Sequence, residues 1–234
     1  MRFIEKKKTC QEFEDYVINN NLDKYLQDYL QEKSEKIHPW KKLDENKEGS
    51  EIKKKLTKYL FEEQKGLCIY CQQELYNDNK NLTNNAHIEH IKPKEKDKDK
   101  YPELTFEYHN LTVSCNGFDC SNYSKEKQFC GHKKSHQYKE DFFLNPLEIK
   151  EIEKYFVYSI EGNIKPAKNL NTQEKEKAEY MIKLLDLRNS ILVDLRTTSY
   201  DAFLELNEDE RKELLAAERK LFPGFYSMLQ QFFF

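Results

Sequence analysis

Cysteine and histidine are placed in this chain in a way that leaves few folds open. It contains six of each, and five of each fall between residues 68 and 136. The segment opens on Cys68-Ile69-Tyr70-Cys71, passes through His87-Ile88-Glu89-His90 and Asn110, and ends on Cys115, Cys120, Cys130, His132 and His136. Two cysteines separated by two residues can give one tetrahedral zinc two thiolates from a tight turn, and downstream cysteines complete the set. The reading adopted is a structural zinc held by Cys68, Cys71, Cys115 and Cys130, with Cys120 spare and Cys10 a small buried residue. The competing reading is a set of unliganded thiols in a reducing compartment.

That compartment is itself an expectation. Residues 1–4 are followed at once by Glu5 and three lysines, which leaves no room for a signal-peptide apolar region. No apolar run approaches the roughly 20 residues that span a bilayer. A cytoplasmic chain is expected, in which thiols stay reduced and cysteine pairs bind metal before they form disulfides.

Charge narrows the function classes. A net charge of -3 argues against a generally basic, histone-like binder. Locally, Lys125, Lys127, Lys133, Lys134 and Lys139 face only Glu126, a basic patch beside the cysteines that suits a polyanionic partner. The plainer account of these lysines is a solvated face. Arginine is absent between residues 3 and 187, so phosphate contacts near the site must come from lysine and backbone amides. Lysine lacks the bidentate fork that reads bases, which predicts weak sequence preference. There is no glycine-rich phosphate loop, hence no case for an intrinsic ATPase.

Around the segment the pattern is mainly helical. Phe13, Tyr16 and Val17, then Leu22, Leu26, Tyr29 and Leu30, make two apolar stripes separated at Asn19-Asn20-Asn21. Ile52, Leu56, Tyr59, Leu60 and Phe61 make a third, with Gly66 placed to cap it and His38 a surface or capping residue. Leu111-Thr112-Val113 suits a strand. Residues 155–164 read as a hairpin turning at Gly162. Helical stripes follow over Ala178 to Leu185 and Ile191 to Leu204, the second capped by Asn189. Phe222, Phe225, Tyr226, Leu229, Phe232 and Phe233 predict one last helix with Pro223 in its first turn. Its apolar face is expected to pack on the protein's own helices; the sharper alternative makes residues 232–234 a docking surface.

Glu89-His90 carries the chemistry. On an extended segment the two side chains point to opposite faces, so one can hold a cation while the other faces substrate. A neutral histidine takes a proton from water at physiological pH, and a hard divalent cation on an oxygen ligand polarises a phosphate. His87 is a further ligand, a partner of one, or a hydrogen-bonded strand histidine. His109 is expected to face away from Asn110.

Residues 66–71, 87–93 and 110–115 resemble the HNH endonucleases with their ββα-metal motif. They are most similar to the PtuB-like branch of bacterial Septu and retron anti-phage systems. Residues 53–64, 143–147 and 184–196 look like that branch too. The resemblance implies an α+β, mainly helical fold with a zinc-stapled ββα-metal element and a small β-hairpin. The segments 1–64, 65–140 and 141–234 would be a helical region, the nuclease core, and a hairpin with C-terminal helices, packed as one unit. It further implies a DNA endonuclease using Mg2+ or Mn2+, with His90 as general base and Glu89 as metal-binding acid. Asn110 would brace the loop or help hold the cation, and His132 would be the second metal ligand, with His136 the weaker candidate. Two departures stand out: the acid is Glu where the wider family has Asp, and His132 lies two residues after Cys130 instead of directly after it. An SMC- or ABC-like ATPase partner is implied, and a second copy of the chain is a further possible partner. The alternative is a non-catalytic zinc-stapled nucleic-acid-binding or structural subunit of an ATPase complex. Glu89→Ala is expected to spare stability, whereas Cys71→Ser is not.

Overall fold

Asn21 in the left-handed region (φ 51°) divides the first two helices, α1 (Gln11–Asn19) and α2 (Leu22–Gln31). Asparagine adopts that conformation at little cost, which is why the break falls there. In the computed structural model, residues 1–31, 37–95, 101–117 and 128–234 are described. Cys120, Lys125 and Lys127 lie outside them.

A short 3-10 turn over Pro39–Asp44, capped by His38, leads to α3 (Lys47–Glu63), which buries Leu56, Leu60 and Phe61. Asn46 caps α3 by accepting from Gly49 N–H at 2.7 Å. At the other end Lys65 (φ 58°) shares with Gly66 (φ 82°) the left-handed turn expected of Gly66 alone. Gly66 N–H reaches back to Phe61 C=O at 2.9 Å and so satisfies an end carbonyl of the helix.

Strands β1 (Ala86–His90) and β2 (Leu111–Cys115) pair antiparallel, with Glu89 opposite Thr112 and His90 opposite Leu111. The free edge of β2 is covered by a side chain. Gln64 accepts from Val113 N–H at 2.7 Å and donates to Val113 C=O at 2.8 Å. That leaves the edge paired and buried. Helix α4 (Cys130–Lys134) packs on β2, completing a strand–strand–helix order.

The hairpin β3 (Phe156–Tyr158) and β4 (Ile164–Pro166) turns through Gly162 at φ 75°, where a Cβ would meet Val193 C=O at 2.2 Å. Then come α5 (Thr172–Leu184), α6 (Ser190–Leu204), α7 (Glu208–Leu214) and α8 (Tyr226–Phe233). The last helix starts later than predicted. Phe225 sits left-handed at φ 57°, so Pro223 lies outside the helix, although Phe222 still stacks on Tyr226 at 4.0 Å. The fold is α+β and mainly helical with two small antiparallel sheets. One apolar core runs from Met1 to Leu229 through all three sequence segments. No helix among the described residues is long and apolar enough to cross a membrane.

Candidate functional site

The cysteine turn follows α3 directly. Gln72 N–H bonds Cys68 C=O at 3.1 Å and Cys68 N–H bonds Gln73 C=O at 2.9 Å, closing a loop that needs Gln72 left-handed at φ 65°. Cys115 ends β2 and Cys130 begins α4, itself left-handed at φ 58°. The four thiols of Cys68, Cys71, Cys115 and Cys130 are buried and lie within 4.8 Å of one another. Cys71 and Cys115 sulfurs are 3.7 Å apart. Tetrahedral bonds of about 2.3 Å put sulfurs roughly 3.8 Å apart, so the donor set fits a zinc ion. Backbone N–H groups of Cys115 and Gln73 point at the Cys68 and Cys71 sulfurs at 3.3 and 3.4 Å, as groups stabilising thiolates do. Burial opposes a charge on Cys68, yet hydrogen bonds from the Cys115, Cys130 and Cys71 thiols hold its pKa well below the usual thiol range. The cluster is thus a buried four-cysteine set able to hold a metal such as zinc, with Cys10 separate and buried at the start of α1.

Beside it lies a cleft of about 230 Å³ lined by His87, Glu89, His90, Lys94, Glu95 and His132. Alternation along β1 puts His87 and Glu89 on one face, over α4. His87 Nε2 is 3.5 Å from Glu89 Oε2. Both converge on Gly131, where a Cβ would stand 2.7 Å from the nitrogen and 2.8 Å from the oxygen. His132 follows at once, its ring 4.3 Å from that of His87. Asn116 ties the two together: its Oδ1 lies 2.6 Å from His87 Nδ1 and 3.1 Å from His132 Nε2. An amide oxygen only accepts, so both of those nitrogens carry the proton. His87 Nε2 and His132 Nδ1 are left as free lone pairs.

The structure shows where Glu89 is held. Its Oε1 accepts from Lys134 Nζ at 2.8 Å and from Tyr70 OH at 3.0 Å. Burial opposes ionisation, but the Lys134 ammonium beside it holds the carboxyl well below the usual carboxylate range. Lys134 is 1% exposed, so it belongs to this pair and not to the surface patch assigned from sequence.

His90 turns the other way. Its ring meets Trp40 edge-on at 4.6 Å, and Nε2 donates to Thr105 C=O at 3.0 Å. The carbonyl fixes the proton on Nε2, leaving Nδ1 as acceptor. Burial, followed by the Lys94 charge, lowers its pKa to about 3, so the imidazole is neutral at physiological pH.

Asn110 is not with the cation donors. Its Oδ1 accepts from Lys92 N–H at 2.8 Å and its Nδ2 donates to Lys92 C=O at 2.9 Å. The carboxamide is consumed in bracing the loop after β1; of the two roles the resemblance implies, the geometry fits the brace and not the ligand. His109 is exposed and pairs with Glu107, and His136 lies beside Ser135 outside the cleft lining. Sequence reasoning passed over Tyr70, Asn116 and Gly131. Their one signal was adjacency to an assigned ligand: Tyr70 precedes Cys71, Asn116 follows Cys115, and Gly131 follows Cys130.

No protein family and no curated protein matches the sequence. The functional reading therefore rests on this geometry and on the motif spacing.

Proposed function

We propose that this protein is a metal-dependent HNH-type endonuclease that hydrolyses DNA phosphodiesters with little sequence preference. The observation that carries the reading is the joining, in one cleft, of a neutral histidine with a fixed acceptor nitrogen and a carboxylate–histidine donor set. The strand–strand–helix order of β1, β2 and α4 also supports it. Glu89 Oε2, His87 Nε2 and His132 would hold the divalent cation. Two imidazoles beside one carboxylate suit Mn2+ better than Mg2+, which prefers oxygen throughout. When bound, that cation polarises the phosphate and stabilises the departing oxygen.

The chain's own residues do the rest. His90 Nδ1 takes the proton of a water whose oxygen attacks phosphorus, and one P–O ester bond breaks. The Thr105 carbonyl and Trp40 keep the ring in place for that transfer. Lys94 at the cleft wall offers charge to the phosphate. The four-cysteine cluster, with zinc, holds β2 and α4 in register. By resemblance we assign the activity to anti-phage defence alongside an ATPase subunit.

Plasmid cleavage in Mn2+, with chelator as control, tests the reading. His90→Ala should lower the rate about 10²–10⁴-fold while circular dichroism stays native. Cleavage by His90→Ala within a few-fold of wild type would remove His90 as base. DNA binding without any cleavage by wild type would favour a binding module.

A further inference from the structure

The Glu89 carboxylate already has a cation. Lys134 Nζ and Glu89 Oε1 form an ion pair at 2.8 Å with side chains 1% and 8% exposed. The ammonium is fixed a second time by the His90 carbonyl at 3.0 Å, and Tyr70 OH occupies the same carboxylate oxygen. Among the described residues, the remaining charges lining the cleft are Lys94 and Glu95. Two carboxylates are thus matched by two ammoniums, and the histidines add no negative charge. Divalent cations gain affinity from the charge count of their ligands. One approaching Glu89 Oε2 finds a neutral site, with a like charge seated on the other oxygen of the same carboxylate. A phosphodiester entering the cleft supplies the missing negative charge.

We propose that Lys134 is a built-in counter-cation of Glu89 that keeps divalent-cation binding weak until a nucleic-acid phosphate is in the cleft. Cation and substrate then bind cooperatively, each raising the affinity of the other by the same factor. The inference rests on the reading of Glu89 as a cation ligand. A merely structural ion pair would lower stability when broken and leave the coupling between cation and DNA untouched.

The test uses the full-length, zinc-loaded protein and direct Mn2+ binding by electron paramagnetic resonance. Binding is measured with and without a phosphorothioate DNA duplex that resists cutting. Wild-type affinity for Mn2+ should rise about tenfold or more when the duplex is added, within the range of ordinary coupling between sites. Lys134→Met removes the charge and keeps the stem. It should bind Mn2+ about tenfold tighter than wild type without DNA and gain little from the duplex, whereas Lys134→Arg should behave as wild type. If Lys134→Met folds poorly without metal, thermal melts carry the same test, since Mn2+ should raise its melting temperature more than that of wild type. Unchanged or weaker Mn2+ binding by Lys134→Met, or wild-type affinity indifferent to the duplex, overturns the proposal. Coupled binding without plasmid cleavage by wild type would remove the nuclease reading and leave this inference standing. Cleavage with uncoupled binding would do the reverse.

Discussion

Glu89 lies between two imidazoles in the sequence and against a buried ammonium in space. Its place in His87-Ile88-Glu89-His90 marks it as a carboxylate beside two imidazoles, and the strand puts it there. What the sequence conceals is Lys134, which is 45 residues downstream and which counts as one more surface lysine until α4 folds it over β1. Against the expectation that Glu89→Ala spares stability, the buried pair predicts a loss. Truncation leaves an ammonium buried with only the His90 carbonyl as partner. Breaking a buried pair in this way costs about 3–5 kcal/mol. At roughly 2–4 °C per kcal/mol in a chain of this size, the melting temperature should fall by about 10 °C. Glu89→Gln keeps an oxygen toward Lys134 and should fall less. Equal melting temperatures for Glu89→Ala and wild type would show that the pair is not buried in solution. Asn110 illustrates the same limit. A central asparagine is visible in the sequence, but whether its amide braces a loop or ligates a cation depends on where the Lys92 backbone runs, and periodicity says nothing of that.

At the scale of elements the pattern was easier to read. Helices α1, α2, α3, α5 and α6, the strand at Leu111 and the hairpin around Gly162 follow from apolar spacing and turn residues, because those signals are local. Ends were less legible, since they depend on caps and contacts. Phe225 in the left-handed region delays α8, and a β-hydrophobic residue at positive φ leaves no trace in propensity. The phenylalanine-rich tail packs largely on the protein's own helices, which is the plainer of its two readings. Phe225, Met228 and Leu229 are buried, Tyr200 packs on Phe232 and Phe233, and only Phe234 is strongly exposed. Gln231 fastens this helix to the hairpin by accepting from Tyr158 N–H at 2.9 Å and donating to its carbonyl at 2.9 Å. Gln231→Ala strips both backbone groups of their partners. Each part-buried group left unpaired costs about 1–3 kcal/mol, so a drop of several degrees in melting temperature is expected with the hairpin loosened first. Hydrogen exchange at the Tyr158 amide reads that directly; unaltered protection there would contradict the role given to Gln231.

For the whole molecule the decisive junction is the cysteine cluster, because four parts of the chain meet at it. Cys68 and Cys71 follow α3, Cys115 closes β2, and Cys130 opens α4 while its N–H bonds the Leu185 carbonyl at the end of α5. One residue beyond Cys71, Gln72 donates to Ser227 Oγ at 2.9 Å and accepts from Ser227 N–H at 3.1 Å, and its carbonyl takes Phe225 N–H at 2.8 Å. The sequence segments 1–64, 65–140 and 141–234 are thereby joined through one buried point, with a core that does not divide between them. Four buried thiols within 4.8 Å cannot all be ionised unless a cation balances them. Removing zinc should therefore act on the entire fold and not on one loop. Structural zinc contributes an apparent binding energy of about 10–16 kcal/mol, so the stripped protein should melt roughly 10 °C or more below the loaded one, in a single transition. Metal analysis should return about one zinc per chain for wild type, Cys10→Ser and Cys120→Ser, and well under one for Cys71→Ser. The two controls matter, because loss of any buried cysteine can destabilise without touching a metal. Protein purified without zinc, with a melting temperature insensitive to chelator, would leave the cluster as four ordinary buried thiols and remove the staple from the account of the fold.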